Sequence, residues 1–314
     1  MSHYQNFIGI DIGKFTFVVA MHSNKLSKEY ENNAKGIRTF LKDSKSHLQS
    51  SLVVLETTGG YEMELLLALC DKNFRVHRAN TRKVKSFIRS FGNTAKTDSL
   101  DAKALALYGF ERHDRLKLFT PVSKQQSTLY ALVQRRKDLK QFLVAEKNRV
   151  KAPEASVVKN SCEFMIETLT DQITQITKQI EALINSDPTF LARAQVLKTI
   201  PGIGEITAQD LLALIPELGT LTRKQVASLA GVAPRANDSG KFHGYRHTGR
   251  GRDSIKPTLF LAAMAARNSH SHLKTFYDNL ISRGKQKMVA LTALMRKIIV
   301  IANAKLKPLA TQTT

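Results

Sequence analysis

Four carboxylates stand in the first third of the chain at positions where an acid is poorly solvated. Asp11 ends an apolar run over residues 7–10, and Glu56 ends a second over residues 51–55. Both runs are rich in strand-forming side chains, and α/β sheets place their sites at the ends of neighbouring strands on one edge. Thr97-Asp98-Ser99-Leu100-Asp101-Ala102 opens a helical pattern that continues through Leu105 and Leu107, so Asp98 and Asp101 project from one face. If that face meets the strand ends, four acids converge. Two like charges about 4 Å apart at an effective dielectric of about 20 repel by about 4 kcal/mol, so the quartet calls for a divalent cation. Hard oxygen ligands favour Mg2+, with Mn2+ as a substitute, and such an ion orients phosphodiester oxygens and acidifies an attacking hydroxyl. Each acid also has a plainer use. Asp98 or Asp101 could cap a helix or complement its dipole, and Asp11 could end a strand without chemistry.

A second constellation lies far along the chain. Asn237-Asp238-Ser239-Gly240 sits among Arg235, Lys241, Arg246, Arg250 and Arg252, five basic residues within 18, interleaved with Gly240, Gly244, Gly249 and Gly251. A serine in a glycine-permitted turn is reachable by a phosphate, and flanking arginines neutralise a pentacoordinate transition state. A Ser-Gly pair in a loop is otherwise only a turn. Ser254 is a fallback nucleophile. His243 and His247 lack a third ligand and a helix, so phosphate contact suits them better than metal. Upstream, Pro201-Gly202-Ile203-Gly204 joins helical stretches at 191–200 and 205–215. This is a helix-hairpin-helix pattern in which Gly202 and Gly204 let backbone N–H groups approach a phosphate.

The elements that must position these groups follow from periodicity. Residues 6–21 read as a β-hairpin turning at Gly13-Lys14, with a polar edge strand over 25–33. Helices are expected over 35–45, 61–72 and 81–91, and strands over 51–55 and 74–79, an α/β layer fold around a mixed sheet. Ile166, Leu169, Ile173, Ile176, Ile180 and Leu183 recur at alternating steps of three and four, a heptad seam. An earlier helix carries Leu129, Leu132, Leu139, Leu143 and Val150 in compatible register, broken at Arg136 and Glu146, with Pro153 between the two. This predicts a helical hairpin or coiled-coil arm, suited to joining protomers or to packing on its own domain. Short helices follow from residue 190, including 221–230, 255–267 and 288–305, with 234–253 a loop. The expected domains are 1–118, 119–189 and 190–314.

Composition narrows the class. The chain has 314 residues with 48 Lys and Arg against 26 Asp and Glu, a net charge of +22. Residues 1–115, 116–193 and 194–314 carry +6, +4 and +12, so the last third holds over half of the excess. A surplus of this size suits a polyanion, because each cation set against a phosphate releases counterions. Two cysteines build neither a disulfide framework nor a four-thiolate zinc site. No apolar run approaches membrane length and MSHYQNFIGID lacks the pattern of a signal peptide, so neither membrane insertion nor secretion is expected.

Taken in order, Gly9-Ile10-Asp11-Ile12-Gly13-Lys14, Leu55-Glu56-Thr57-Thr58-Gly59, Thr97-Asp98-Ser99-Leu100-Asp101-Ala102, Ile200-Pro201-Gly202-Ile203-Gly204 and Asp238-Ser239-Gly240 resemble the DEDD transposase family. That family includes the Piv-type invertases and the bridge-RNA-guided recombinases of insertion sequences. The resemblance implies a RuvC-like (ribonuclease H-like) N-terminal domain, a coiled-coil arm and a helical C-terminal transposase domain. It implies Mg2+ on Asp11, Glu56, Asp98 and Asp101, and Ser239 as a nucleophile that becomes linked to DNA. It further implies a site composed between protomers of a dimer or tetramer, and a structured noncoding RNA pairing with donor and target DNA. Gly202, Gly204, Arg235, Lys241, Arg246, Arg250 and Arg252 are the nucleic-acid contacts expected. The setting implied is a bacterial cytoplasm, at the nucleoid.

Three other readings use the same residues differently. A RuvC-like junction nuclease would keep the acids and drop the serine. An actin-like ATPase or sugar kinase would use residues 9–16 as a phosphate loop, which the charge of +22 fits poorly. An architectural binder would leave the four acids without a use.

Overall fold

The computed structural model describes residues 4–24, 26–91, 97–152, 155–240, 242–244, 246–249, 251–252 and 254–311. Lys25, Pro153, Lys241, Arg250 and Asp253 lie outside them. The chain divides into two compact units, 1–122 and 123–314.

The first unit runs β1 (Asn6–Ile12), β2 (Thr16–Met21), β3 (Ser27–Glu31), α1 (Ala34–Asp43), α2 (Lys45–Gln49), β4 (Ser51–Glu56), α3 (Met63–Asp71), β5 (Arg75–Ala79), α4 (Thr81–Arg89) and α5 (Asp98–Arg112). Among the described residues its strands form one mixed sheet in the order β3-β2-β1-β4-β5. β1, β2 and β3 pair antiparallel, whereas β4 runs parallel to β1 and β5 parallel to β4. The expected hairpin, edge strand and mixed sheet are present. The short α2 was not foreseen, because five residues are too few to show a helical period.

Alternation assigns the two faces. Ile8, Ile10, Ile12, Val53 and Leu55 bury against Ile37 and Phe40 of α1 and Leu65, Leu66 and Leu69 of α3. Phe7, Leu52 and Val54 point the other way, against Val84 and Phe87 of α4 and Leu105 and Tyr108 of α5. A period of two therefore puts Gly9 and Asp11 on the α5 face with Phe7, and Glu56 there with Leu52 and Val54.

Helix α5 lies directly on β1 at Gly9. A β-carbon built there would fall 2.0 Å from the Ala102 carbonyl oxygen and 2.3 Å from the Ala106 nitrogen. Both are backbone atoms, so no rotamer change relieves the clash. Further along the helix, a β-carbon at Gly109 would lie 2.9 Å from Val54 Cγ2. The helix thus runs antiparallel to β1, and its first turn extends past Gly9 toward Asp11.

The second unit contains α6 (Lys124–Val150), α7 (Lys159–Ser186), α8 (Pro188–Lys198), α9 (Glu205–Leu214), α10 (Arg223–Leu229), β6 (Pro234–Arg235), β7 (Asp238–Ser239), β8 (Phe242–His243), β9 (His247–Thr248), α11 (Ile255–Arg267), α12 (His272–Ser282) and α13 (Lys287–Thr311). Helices α6 and α7 pack along each other as a hairpin, with the heptad seam facing inward: Leu169 and Ile180 are buried and the other four seam residues half-buried. At the base of the hairpin, Leu129, Val133, Ile180 and Ile184 join the core formed by α8 to α13.

The seam's interruption at Arg136 has a structural cause. Its guanidinium, 1% exposed, donates to Gln209 Oε1 at 2.5 Å and to Asp210 Oδ1 at 2.9 Å. Asp210 also accepts from Thr258 Oγ1 at 2.9 Å, so the buried charge is paired and its carboxylate oxygens are both engaged. Glu146, the other break, pairs with Arg149.

The stretch 234–253, expected as a loop, contains two nested ladders. β6 pairs with β9 and β7 with β8, making a short ribbon. Two-residue strands carry no readable alternation, which is why the pattern was silent. Among the described residues no helix is long and apolar enough to cross a membrane.

Substituting Gly9→Ala is expected to lower the unfolding free energy by ~1–3 kcal/mol, the cost of overpacking against rigid backbone. Gly204→Ala, where a β-carbon meets nothing within 4 Å, serves as the control. Thermal melts of equal midpoint for wild type and Gly9→Ala would show that α5 does not rest on β1 there.

Candidate active site

The sheet register brings the first two acids together. Ile10 pairs with Leu55 in the parallel ladder, so the residues that follow, Asp11 and Glu56, are neighbours on adjacent strands and share the α5 face. Adjacent strands lie about 4.8 Å apart. The third and fourth acids come from the first turn of α5. Thr97, not either aspartate, caps that helix: its Oγ1 accepts from Leu100 N at 3.2 Å. Asp98 and Asp101 are thereby released from capping. All four acids line one cavity of about 540 Å³, together with Thr58, and with Lys85 and Arg89 of α4 on its wall.

Electrostatics record the crowding. The Asp11 carboxyl is pushed up to about 6, first by burial and then by the charges of Asp101, Asp98 and Glu56, with the Ile12 backbone N–H opposing. Glu62, at the start of α3, shows the opposite outcome in a more buried place. Burial raises its pKa, but the Arg78 guanidinium and the N–H groups of Thr58 and Gly60 outweigh that and bring it to about 2. The Glu62 side chain is 0% exposed. Its Oε2 accepts from Thr58 N at 3.1 Å, Thr58 Oγ1 at 3.1 Å and Gly60 N at 2.9 Å, and so holds the loop that follows Glu56. Sequence reading missed Glu62 in this role. The readable signal is a carboxylate two residues after a Thr-Thr-Gly-Gly turn, within reach of its N–H groups. Lys85 and Arg89 fall in the helix expected over 81–91, but their place on the wall of the acid cavity is not readable from that pattern.

The donor set is oxygen only and fits a hard divalent cation. Among the described residues no three acid, His or Cys groups form a ready-made metal cage. Mutual repulsion of four carboxylates opposes such a closed arrangement when no cation holds it together.

In the second unit, Ser239 is exposed, in β7 near the tip of the ribbon, paired with Phe242 across a turn that begins at Gly240. Arg235 in β6 is half-buried. Arg246 is exposed, its Nη2 3.8 Å from Asp238 Oδ2. Arg252 is partly exposed and is engaged by the protein's own groups, donating to the Leu214 carbonyl at 2.7 Å and gripping both carboxylate oxygens of Glu217. Lys241 and Arg250 are outside the described residues. The bare side of Gly202, at φ 89°, faces α11: a β-carbon there would lie 2.3 Å from the Ala262 carbonyl oxygen. Gly204 is open and starts α9, with Lys198 and Glu205 paired beside it at 2.7 Å. Ser254 is half-buried at the start of α11, its carbonyl accepting from Lys137 Nζ at 3.0 Å.

Two family models match the chain in succession. One, the IS110-type DEDD model described as "Transposase", covers residues 8–153, a span that includes all four acids. The other, described as "Transposase IS116/IS110/IS902 family", covers residues 194–278 and includes Ser239. The chain is 31% identical over 312 residues to the pilin gene-inverting protein of Moraxella lacunata, with 96% of each chain covered. It is 30% identical over 312 residues, again covering 96% of each, to the pilin gene-inverting protein of Moraxella bovis. An uncharacterized 43.6 kDa protein of insertion element IS110 from Streptomyces coelicolor is 32% identical over 151 residues, 46% of this chain and 37% of that one. Two relatives at 31% and 30% identity over 96% of each chain, and two models matched in order, establish that the chain belongs to the IS110 family of DEDD transposases and is a DNA recombinase.

Proposed function

We propose that this recombinase cuts and rejoins DNA through a phosphoserine intermediate at Ser239, assisted by Mg2+ or Mn2+ on Asp11, Glu56, Asp98 and Asp101, and guided by a structured RNA of its own element. The observation that carries the reading is the convergence of the four acids on one cavity. The strand order and the placement of acids at β1, β4 and the start of α5 support a RuvC-like first unit. Asp11, Glu56, Asp98 and Asp101 would hold a divalent cation, which when bound would supply charge neutralisation at the scissile phosphate and lower the pKa of the attacking hydroxyl.

The rest falls to the chain's own groups. Ser239 Oγ attacks phosphorus; the new O–P bond forms as the bond to the 3′ oxygen breaks, and the serine proton is replaced on that departing oxygen. The exposed ribbon leaves Ser239 accessible, and Arg235 and Arg246 flank it to offset the added negative charge. The freed 3′-hydroxyl later attacks the phosphoserine of a partner strand: the new phosphodiester O–P bond forms as the Ser Oγ–P bond breaks, and the proton lost by the hydroxyl is restored on the serine oxygen. Ester energy is conserved, so no nucleotide triphosphate is needed. The open Gly204 turn of the helix-hairpin-helix pattern supports phosphate contact there.

For the assembly we propose joining through the hairpin arm. With the heptad seam packed inward, Phe142, Val144, Phe164 and Met165 remain exposed on its distal half. Apolar side chains left exposed on a helical arm fit a second copy of the same arm.

The first expected result is covalent trapping. Incubated with element-end DNA, guide RNA and Mg2+, wild type gives protein–DNA adducts, whereas Ser239→Ala, Asp11→Asn and Glu56→Gln give none and still retain RNA. Adducts from Ser239→Ala at wild-type yield would refute the nucleophile. Free 5′-phosphate ends without adduct would favour the junction nuclease, and adducts insensitive to ribonuclease would remove the guide.

The second concerns pH without metal. The folded pKa of Asp11 near 6 exceeds its ordinary 3.8, so ionisation opposes folding. The penalty is absent below about pH 4, grows through the window and is complete above about pH 6. Asp11→Asn should therefore be more stable than wild type at neutral pH, by ~1–2 kcal/mol after allowance for solvent screening, and equal to it in acid. Mg2+ should raise the melting temperature of wild type and not of the variant. Equal melts at neutral pH would contradict the clustering.

The third concerns assembly. Phe142→Asp combined with Phe164→Asp should reduce the light-scattering mass to that of a monomer with helicity unchanged. A wild-type protein that is already monomeric would defeat the arm proposal.

A further inference from the structure

We propose that the cavity at the root of the serine ribbon holds a single unstacked nucleotide, of DNA or of RNA, with its base on an apolar floor and its phosphate among arginines. The inference rests on the reading that this chain handles nucleic acid and goes beyond it in naming the site and its occupant.

The cavity, about 730 Å³, lies wholly within the second unit. It falls in the range of small-ligand sites, ~300–1,000 Å³. Its floor includes Val232, Phe276, Ala293 and Val300, while Arg223, Arg246, Arg296 and Lys297 stand around it. Lys297 Nζ is held 4.0 Å from the centre of the Phe276 ring. Among the described residues no Asp or Glu lines the cavity. A bare phosphate would leave the apolar floor unused, and an acyl chain would leave several cations unpaired. A planar base carrying a phosphate uses both, burying its faces on the apolar floor while the cations pair with the phosphate. A stacked base in a duplex presents only its edge, so the nucleotide must leave the stack.

Position gives the site its meaning. Pro234 of β6 and His247 and Thr248 of β9 form part of the wall, and these are the residues that pair at the base of the ribbon. From Arg235 to Ser239 the chain can reach at most ~14 Å. That is about four base steps at ~3.4 Å per step. A nucleotide seated here is thus extruded within a few steps of the phosphate that Ser239 meets, and it fixes the strand in register with the ribbon.

The test uses the full-length protein and hairpin duplexes, in DNA and in RNA, either fully paired or carrying one bulged 2-aminopurine. Wild type should bind the bulged probe about tenfold more tightly than the paired one, with a change in 2-aminopurine emission. The DNA and RNA arms identify which acid supplies the nucleotide. Ala293→Leu fills the cavity without altering charge and should abolish the preference while leaving affinity for paired duplex unchanged. Arg296→Ala should weaken the bulged probe further and reduce the salt slope by about one. Absence of a bulge preference in wild type, or its survival in Ala293→Leu, would overturn the proposal. So would displacement of the probe by dodecyl phosphate at lower concentration than by nucleoside monophosphates. Ser239→Ala should keep the preference, which separates this site from the nucleophile: adducts persisting in Ser239→Ala with the bulge preference intact would sink only the proposed covalent chemistry.

Discussion

The candidate site depends on one close approach, that of the α5 backbone to β1 at Gly9. Alternation along β1 places residues 7, 9 and 11 on one face, so the helix that covers Phe7 and Gly9 must end its first turn near Asp11. Any side chain at position 9 would meet the Ala102 carbonyl and the Ala106 nitrogen and lift the helix. A lifted helix would carry Asp98 and Asp101 away from the strand ends. The same glycine that permits packing therefore sets the distance between acids on strands and acids on a helix, and packing and electrostatics are inseparable here.

The unit must tolerate the charge this packing gathers. Asp11 and Glu62 show two ways of burying a carboxylate. Glu62 receives a guanidinium and backbone N–H donors, so it is ionised and held as part of the loop. Asp11 receives three acids and a single backbone donor, so it keeps its proton far into the acid-to-neutral range. A carboxylate already satisfied has nothing to gain from a cation, whereas one surrounded by like charge gains most. The difference assigns Glu62 to architecture and leaves the Asp11 cluster as the place where a cation would bind with the largest effect on folding.

Much of this was legible in the sequence, and the reasons for the gaps are physical. Strands with a buried face announce themselves by period, so Asp11 and Glu56 could be placed at strand ends. Their adjacency could not, because it depends on the β1–β4 register, a non-local property. Thr97 could have been recognised as the cap that releases Asp98 and Asp101, since threonine immediately before a helical pattern is a preferred N-cap. The ribbon was illegible because four two-residue strands lie below the length at which alternation means anything. Arg252 reads as one more loop cation, but its pairing with Glu217 brings together residues 35 apart in sequence. Gly202 and Gly204 read as one motif, yet one faces a helix and the other solvent.

Arg136 marks the point where pattern and chemistry disagree most usefully. A heptad seam of aliphatic side chains alone is nearly indifferent to sliding by a turn, because leucine against isoleucine packs similarly one turn away. A buried guanidinium is not indifferent. It finds Gln209 Oε1 and Asp210 Oδ1 together in one place only, and anywhere else along α9 it would be a buried charge without partners. The break in the seam thus fixes how α6 meets α9, and with it the direction in which the distal arm leaves the helical core. The apolar residues at the arm's far end are presented in a set direction by an interaction at its base, which a purely aliphatic hairpin could not specify.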